Sequence, residues 1–265
     1  MTQTPLPAVL TAAKSGAFAG RTAIVTGSGR NIGRAIALAF AAGGANVIVN
    51  GHADRAAVDA TVKDIADAGG VALGVMADVS KHDDVQRLVA AAVDRFGALD
   101  IVVSNVGIRR MQPFLDISLE DWDTVLQTNL TAAFYLARNA IPHMQKRKWG
   151  RLVFISGFDG FWGQVTQRAH NITAKAGLHG LAKAIAREFG PDGITANTVA
   201  PGAIDTVRDW SQYKHQPREK IESEIPLGRF GHVNELAAAC AFLASDGGGF
   251  TSGQVIHVNG GHYMY

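Results

Sequence analysis

The sequence predicts a single α/β domain in which a parallel β-sheet is covered by helices on both faces. Short apolar runs rich in β-branched residues alternate with longer segments of helical periodicity. Near-continuous apolar strands are typical of parallel sheets that are buried on both sides. With 265 residues, of which 47% are hydrophobic, the chain is long enough for one such domain. Right-handed strand–helix–strand crossovers then predict a doubly wound sheet.

The alternation defines about seven strands and the helices between them. The predicted strands are residues 22–26, 46–50, 71–76, 101–104, 151–155, 194–199 and 254–258. The predicted helices are residues 32–42, 55–68, 83–96, 119–146, 171–189 and 233–244, each ending near a glycine or a charged residue. No linker, repeat or low-complexity tract divides the chain. We therefore expect one domain over residues 19–265, preceded by an arm over 1–18 that is mobile or packs on a neighbouring subunit.

Composition argues against several classes of partner. Charged residues make up 18% of the chain and the formal net charge is +2, which gives no electrostatic case for nucleic acid or an anionic membrane. Cys240 is the single cysteine, so an intrachain disulfide is impossible. The first residues do not form a signal peptide, and no run approaches the roughly 18 apolar residues of a membrane span. We expect a cytoplasmic protein without a metal site.

A glycine-rich turn joins the first predicted strand to the first predicted helix. It reads Thr26-Gly27-Ser28-Gly29-Arg30-Asn31-Ile32-Gly33. Glycines let the backbone turn sharply and approach a pyrophosphate, and the helix N-terminus supplies amide donors and partial positive charge. Because the turn lies in the first strand–helix unit, it predicts a dinucleotide site in a Rossmann-type domain.

The turn resembles that of the short-chain dehydrogenase/reductase family, T-G-x-x-x-G-x-G, with Asn31 in place of the middle glycine, and further resemblance extends over residues 21–261. It implies that the cofactor is a nicotinamide dinucleotide held by the turn. By the same resemblance, Asp78 and Val79 lie at the adenine, and Asn105, Val106 and Gly107 match the family's N-N-A-G turn. Pro201, Gly202, Ile204 and Thr206 match the segment beside the nicotinamide, and Asn129 matches the family's helix asparagine.

The end of the second strand predicts which dinucleotide is bound. An acid there would hydrogen-bond the ribose hydroxyls and repel a 2′-phosphate, which selects NAD. The chain has Gly51 and His52 instead, with no carboxylate before Asp54. The resemblance implies that Arg30 faces the 2′-phosphate, so NADP is predicted. The alternative is that Arg30 and His52 are only solvent-exposed and NAD is accepted as well.

The family's catalytic residues are only partly present. Its members carry a Ser, then a Tyr, then a Lys four residues after the Tyr, so that the ammonium lowers the phenol pKa on one helix face. Lys175 matches the Lys, but Asn171 stands at the Tyr position, and an amide transfers no proton near neutral pH. Gly157 occupies the Ser position, while Ser156 is one residue early and stays a candidate because this loop varies in length.

Three side chains are candidates to replace the tyrosine. His170 titrates in a suitable range, but it reaches the Lys175 face only if the helix starts after it. Asp159, in a turn after the fifth strand, could reach the substrate, and Asn171 could orient a carbonyl. The ordinary alternatives are a helix-start role for His170 and a turn-forming role for Asp159. The candidate catalytic residues are Asn129, Ser156, Asp159, His170, Asn171 and Lys175.

Three loops suggest the substrate. Arg109 or Arg110 could bind a substrate carboxylate or phosphate, with surface solvation as the alternative. Phe158, Phe161 and Trp162 follow the fifth strand, at the sheet edge where ligands bind in such folds. Residues 207–226 resemble the family's variable substrate loop, and their Trp210, Tyr213 and His215 favour an apolar or ring-bearing substrate.

Three functions stay open at this point. The first is an NADP(H)-dependent oxidoreductase acting on a small carbonyl, alcohol, imine or enone. The second is a non-catalytic dinucleotide-binding subunit or regulatory partner of an active homologue, and the third is a lyase or isomerase that reuses the pocket. The resemblance implies a homodimer or homotetramer formed through helices 119–146 and 171–189.

Overall fold

The computed structural model describes residues 16–162, 166–207 and 217–264. Seven parallel strands form one sheet in the order β3-β2-β1-β4-β5-β6-β9, and two short strands, β7 and β8, pair separately. The strands are β1 (Thr22–Val25), β2 (Asn46–Gly51), β3 (Val71–Met76), β4 (Ile101–Ser104), β5 (Gly150–Ile155), β6 (Ile194–Pro201), β7 (Ile204–Asp205), β8 (Gly231–His232) and β9 (Val255–Val258). The predicted single-domain, doubly wound Rossmann-type sheet is therefore confirmed.

Helices cover both faces of this sheet. They are α1 (Asn31–Ala42), α2 (Arg55–Asp67), α3 (His82–Phe96), α4 (Leu119–Leu126), α5 (Ala132–Arg147), α6 (Ala169–Phe189), α7 (Arg218–Glu224) and α8 (Val233–Ala244). No helix in the described ranges combines the length and hydropathy needed to cross a bilayer.

Two predicted helices differ from the observed ones. The helix predicted over 119–146 is divided into α4 and α5 by a π-helical turn, Gln127–Thr131, which contains Asn129. Such turns are frequent at functional sites, and hydrophobic periodicity does not reveal them because only one turn is altered. The helix predicted to start at residue 171 begins at Ala169.

Alternating side chains of the strands fill two apolar layers. In β1, Ala23 and Val25 face the layer that contains Ile36 and Phe40 of α1. Ile24 faces the opposite layer, which α3, α5 and α6 cover. This arrangement follows from the period of two along a strand.

The predicted N-terminal arm lies mostly outside the described residues. Phe18, its last residue, is buried against Phe40 with ring centroids 5.0 Å apart. The Phe18 amide also donates a hydrogen bond to the Gly43 carbonyl. Phe18 is thus part of the core, and an arm over the preceding residues stays a prediction.

The parallel arrangement brings the carboxyl ends of the central strands to one edge of the sheet. The glycine turn follows β1 and the 105–108 segment follows β4 at this edge. Residues 156–162 follow β5 there, and the 201–207 segment begins at the end of β6. Ligands of open α/β sheets bind at this edge, so these segments outline the candidate site.

Candidate functional site

The glycine turn has the geometry that a pyrophosphate requires. Gly27 has φ +61°, and a Cβ at Gly33 would clash with the Gly27 carbonyl oxygen. Arg30, the residue before α1, makes no side-chain hydrogen bond to the first backbone amides of the helix. The Arg30 side chain therefore does not compete with another acceptor for these amides. A close-packed turn followed by uncapped amides fits an anionic phosphate.

Asn50, which the sequence analysis missed, braces this turn from the end of β2. Its Nδ2 donates to the carbonyls of Gly51, Val75 and Ala77 at 3.1–3.2 Å, and its Oδ1 accepts from the Gly27 amide at 3.3 Å. The backbone N–H of Asn50 donates to Ser28 Oγ at 3.0 Å. The only sequence signal was a polar residue at the end of an apolar strand.

Asn105 supports the turn from the other side. Its side-chain Nδ2 donates to the Thr26 carbonyl at 2.9 Å, and its backbone N–H donates to Thr26 Oγ1 at 3.0 Å. A Cβ at Gly27 would lie 3.0 Å from Val106 Cγ2, which shows how closely the segment after β4 approaches the turn. The two segments that the resemblance assigned to the cofactor are therefore in direct contact.

The segment that the resemblance assigned to the adenine carries several charged groups. Asp78 Oδ1 accepts from the Ser80 amide and hydroxyl at 3.1 and 2.7 Å, and His52 Nε2 lies 3.8 Å from Asp78 Oδ2. Val79 packs in the core instead of facing solvent. Arg30 is exposed and forms no ion pair with any residue in the described ranges. The site thus presents a solvated guanidinium beside a glycine-ended β2.

Three side chains meet at the ends of β4 and β5. Asn129 binds both backbone groups of Ile108: its Oδ1 accepts from the amide at 2.8 Å and its Nδ2 donates to the carbonyl at 2.9 Å. Asn171 Nδ2 donates to the same carbonyl at 3.1 Å. Lys175 Nζ donates to the Ile155 carbonyl at 2.7 Å and would lie 3.3 Å from a Cβ at Gly107.

The environment of Lys175 makes its ammonium unusually acidic. Burial lowers its pKa from 10.5 to about 8, with a smaller contribution from the Arg109 guanidinium, and Asp159 opposes the shift. An amine with a pKa near 8 holds a proton at neutral pH and can release it in a reaction. Lys175 is therefore a titratable group matched to proton transfer.

Ser156 and Gly157 occupy different environments. Ser156 is buried, and its hydroxyl donates to the Val199 carbonyl of β6 at 3.3 Å. A Cβ at Gly157 would meet nothing within 4 Å, so this position faces open space. Gly157, which the sequence analysis matched to the family's serine, thus faces open space without a side chain of its own.

His170 does not meet the condition set for it by the sequence. Since α6 begins at Ala169, His170 is inside the first turn, off the Lys175 face. The side chain is fully buried, its Nδ1 accepts from the Asn171 amide at 3.0 Å, and burial lowers its pKa. This geometry favours the interpretation that His170 is a buried, neutral residue at the start of the helix.

Asp159 is held by a residue that the sequence analysis did not single out. Its Oδ2 lies 3.3 Å from Arg168 Nη1, and both side chains are 7% exposed. Arg168 Nη2 also lies 3.7 Å from Met111 Sδ. The carboxylate serves a buried ion pair that ties the turn after β5 to the start of α6.

The two arginines after β4 differ in their partners. Arg110 pairs with Asp121, whose Oδ2 also accepts from Gln112 Nε2 at 2.7 Å. Arg109 is exposed and has no carboxylate partner among the residues that the structure describes. Of the two, Arg109 is the one whose charge is available to a ligand beside Lys175.

An aromatic and histidine cluster borders the loop after β5. Phe161 stacks on His179 with centroids 4.3 Å apart and contacts the ring of His257 at 5.1 Å. Burial, aided by nearby His257, lowers the pKa of His179 to about 4, so this ring is neutral at physiological pH. Phe158, Trp162, His262 and Tyr263 extend the cluster. Trp210, Tyr213 and His215 lie outside the described residues.

Comparisons with known proteins agree with this geometry. A family model described as enoyl-(acyl carrier protein) reductase matches residues 27–263. The chain is 39% identical over 245 residues to a 3-oxoacyl-[acyl-carrier-protein] reductase of Staphylococcus aureus, covering 92% of this chain and 98% of that protein. It is 40% identical over 245 residues to the Aquifex aeolicus protein of the same name, with the same two coverages.

A solved structure shows the same fold. It is described as a putative gluconate dehydrogenase from Agrobacterium tumefaciens and superposes with a TM-score of 0.86 at 33% identity, covering 92% of this chain and 96% of that one. The matching family model, the relatives and the strand order agree with the family resemblance of the sequence. The chain therefore belongs to the short-chain dehydrogenase/reductase family and is an oxidoreductase of that family.

Proposed function

We propose that the chain is an NADP(H)-dependent oxidoreductase that acts on a small carbonyl, alcohol, imine or enone through a centre without the family's tyrosine. The observation that carries the proposal is the convergence of Asn129, Asn171 and Lys175 on the carbonyls of Ile108 and Ile155. These groups lie at the sheet edge that carries the dinucleotide turn. The bound dinucleotide would supply or accept a hydride at this place.

Lys175 would provide the proton that the tyrosine provides elsewhere in the family. Reduction moves an electron pair onto the substrate heteroatom, or onto the far end of an enone, and that atom must then be protonated. An ammonium has three N–H donors, and one of those on Nζ is directed at the Ile155 carbonyl. With a pKa of about 8, the group can give a proton near neutral pH and regain it from solvent.

Asn171 would orient the substrate without exchanging protons. Its Nδ2 uses one hydrogen for the Ile108 carbonyl at 3.1 Å, and a primary amide has a second hydrogen and an acceptor oxygen. Asn129 fixes Ile108 through two hydrogen bonds, so the carbonyl that positions Asn171 is itself held in place. The side-chain amides of Asn129 and Asn171 are therefore both held by hydrogen bonds to Ile108 in the same part of the site as Lys175.

The cofactor preference follows from the end of β2. A Cβ at Gly51 would lie 2.5 Å from Val58 Cγ2, so an acidic side chain could enter this position only if Val58 moved. No carboxylate from residue 51 therefore repels a 2′-phosphate, and the exposed Arg30 offers a counter-charge. We infer that NADP is preferred over NAD.

Replacing Arg30 by alanine tests this preference. We expect the Kd of NADPH to rise about tenfold because a charge-assisted contact to the 2′-phosphate is lost. The Kd of NADH should stay within about twofold. Titration calorimetry measures both constants, and Arg95→Ala, at the end of α3 on the opposite sheet edge, is the control. Equal weakening of both cofactors would contradict the assignment.

The substrate is proposed to carry an anionic group next to an apolar part. Arg109 presents its charge near Lys175, whereas Arg110 is neutralised by Asp121. The cluster around Phe161 and neutral His179 provides apolar ring surface near the same edge. One solved relative is described as a putative gluconate dehydrogenase, and gluconate is a carboxylate, which agrees with an anionic group on the substrate.

The test of the function is a substrate panel with purified protein and NADPH. Ketones, imines and enones are each supplied as carboxylate and neutral pairs, and cofactor oxidation is followed by absorbance. We expect turnover in at least one class, with the carboxylate member preferred. Binding of NADPH without turnover on any member would instead indicate a non-catalytic partner of an active homologue. Product formation without net cofactor oxidation would indicate a lyase or isomerase.

We further propose that the chain forms a homodimer or homotetramer in the cytoplasm through α4, α5 and α6. Apolar side chains are exposed on these helices, among them Leu119 at 85% and Phe134 at 44%. Light scattering should give two or four chains for the wild type. Phe134→Glu should shift the population to smaller species, whereas Val71→Glu on edge strand β3 should not. A monomeric wild type would contradict the proposal.

A further inference from the structure

Asn31 links the glycine turn to a segment far away in the sequence. Its Nδ2 donates to the Val207 carbonyl at 3.1 Å, and its Oδ1 accepts from the Val207 amide at 3.0 Å. One side-chain amide thus binds both backbone groups of a residue 176 positions later. Asn31 has φ +51°, a left-handed conformation that asparagine tolerates better than other non-glycine residues.

These two hydrogen bonds, called the tie below, join the turn that would hold the pyrophosphate to the segment that would lie beside the nicotinamide. The backbone of Asn31 belongs to the turn that fits the pyrophosphate. Thr206, directly before Val207, belongs to the segment that the family places beside the nicotinamide. On its other side this segment is anchored by β7, where Ile204 is 3% exposed and pairs with Gly231 of β8. Thr206 therefore lies between two anchors.

We propose that Asn31 is a positioning residue that holds the backbone at 206–207 in its cofactor-binding position before the dinucleotide arrives. The inference rests on the proposed dinucleotide binding and adds a specific role to the residue that departs from the family's glycine. A segment ordered in advance does not have to be ordered by the ligand, so the ligand binds more tightly. A glycine at residue 31 would adopt the same φ but would provide no side chain for the tie.

The substitution Asn31→Gly separates the tie from the shape of the turn. Hydrogen–deuterium exchange, read at residue level without cofactor, should show the Val207 amide exchanging about tenfold faster in the variant, because its acceptor is gone. The Kd of NADPH should rise about threefold to tenfold through the cost of ordering the segment. Lys148→Gly is the matched control, since Lys148 is also left-handed, with φ +50°, at the end of α5.

The outcomes distinguish this inference from the proposed function. Unchanged exchange at Val207 would show that the tie does not hold the segment. Faster exchange with an unchanged Kd would show that the tie has no role in binding, and either result overturns the inference alone. A wild-type chain that binds neither NADPH nor NADH would overturn the proposed function together with this inference. An equal loss of affinity in Lys148→Gly would also overturn the inference.

Discussion

Replacing Lys175 by methionine is expected to lower kcat by about 10³-fold. The variant keeps an unbranched chain of similar length but loses the Nζ that donates to the Ile155 carbonyl. In the proposed mechanism this atom also carries the proton that is transferred. Steady-state kinetics on the substrate found by the panel measures the loss. Lys183→Met, at an exposed position of the same helix, is the control and should retain wild-type kcat.

The dependence of the rate on pH tests the same role of Lys175. Lys175 is protonated below a pKa of about 8, so reduction should be fast below that pH and should decline as pH rises through it. Oxidation needs the neutral amine and should show the opposite dependence. Arg109→Ala removes a positive charge that lowers this pKa, so the inflection should move to higher pH. A flat profile, or a fully active methionine variant, would exclude Lys175 as the proton donor.

Replacing Asp159 by alanine is expected to destabilise the fold by about 3–5 kcal/mol. The substitution removes the carboxylate that faces the Arg168 guanidinium, and both side chains are only 7% exposed. Losing this carboxylate is costly because the Arg168 guanidinium lies where water cannot replace the lost contact. Thermal unfolding should show a decrease in Tm of about 10 °C.

Two controls define the origin of this loss. Asp59→Ala breaks an exposed pair with Arg55, whose side chain is 63% exposed, and should cost less than about 1 kcal/mol. Asp159→Ala combined with Arg168→Met removes both charges and should recover much of the stability. If the double variant is no more stable than Asp159→Ala, the pair is not the source of the effect.

Local sequence patterns were sufficient to predict the fold. Apolar strands alternating with amphipathic helices predicted a doubly wound sheet, and the observed strands agree with the predicted ones within two residues at each end. β7, β8 and α7 were not predicted, because two-residue strands and a short polar helix have no periodic signal. The π-helical turn at Asn129 was not predicted either, because it changes the hydrogen bonds of one turn only and leaves the hydrophobic periodicity of the helix unaltered.

The candidate site was predictable only where it depends on a short motif. The glycine turn and the helix with Lys175 could be placed from their spacing and family resemblance. Asn50 and Arg168 could not, because their roles depend on contacts with β3 and with the turn at Asp159. The position of His170 depends on where α6 begins, because a start two residues earlier than predicted turns its side chain away from the Lys175 face.

The sequence by itself predicted a parallel sheet with a glycine-rich turn typical of dinucleotide sites, and it matched Asn171 to the position of the family's tyrosine. Only the tertiary structure decided that Asn171 and Asn129 share the Ile108 carbonyl, and that Asn31 holds Val207. It also decided that burial lowers the pKa of Lys175 into the range where an ammonium can give up a proton. The physical reason is distance along the chain: turns and periodicity are local, whereas desolvation and these hydrogen bonds arise between segments that meet only after folding.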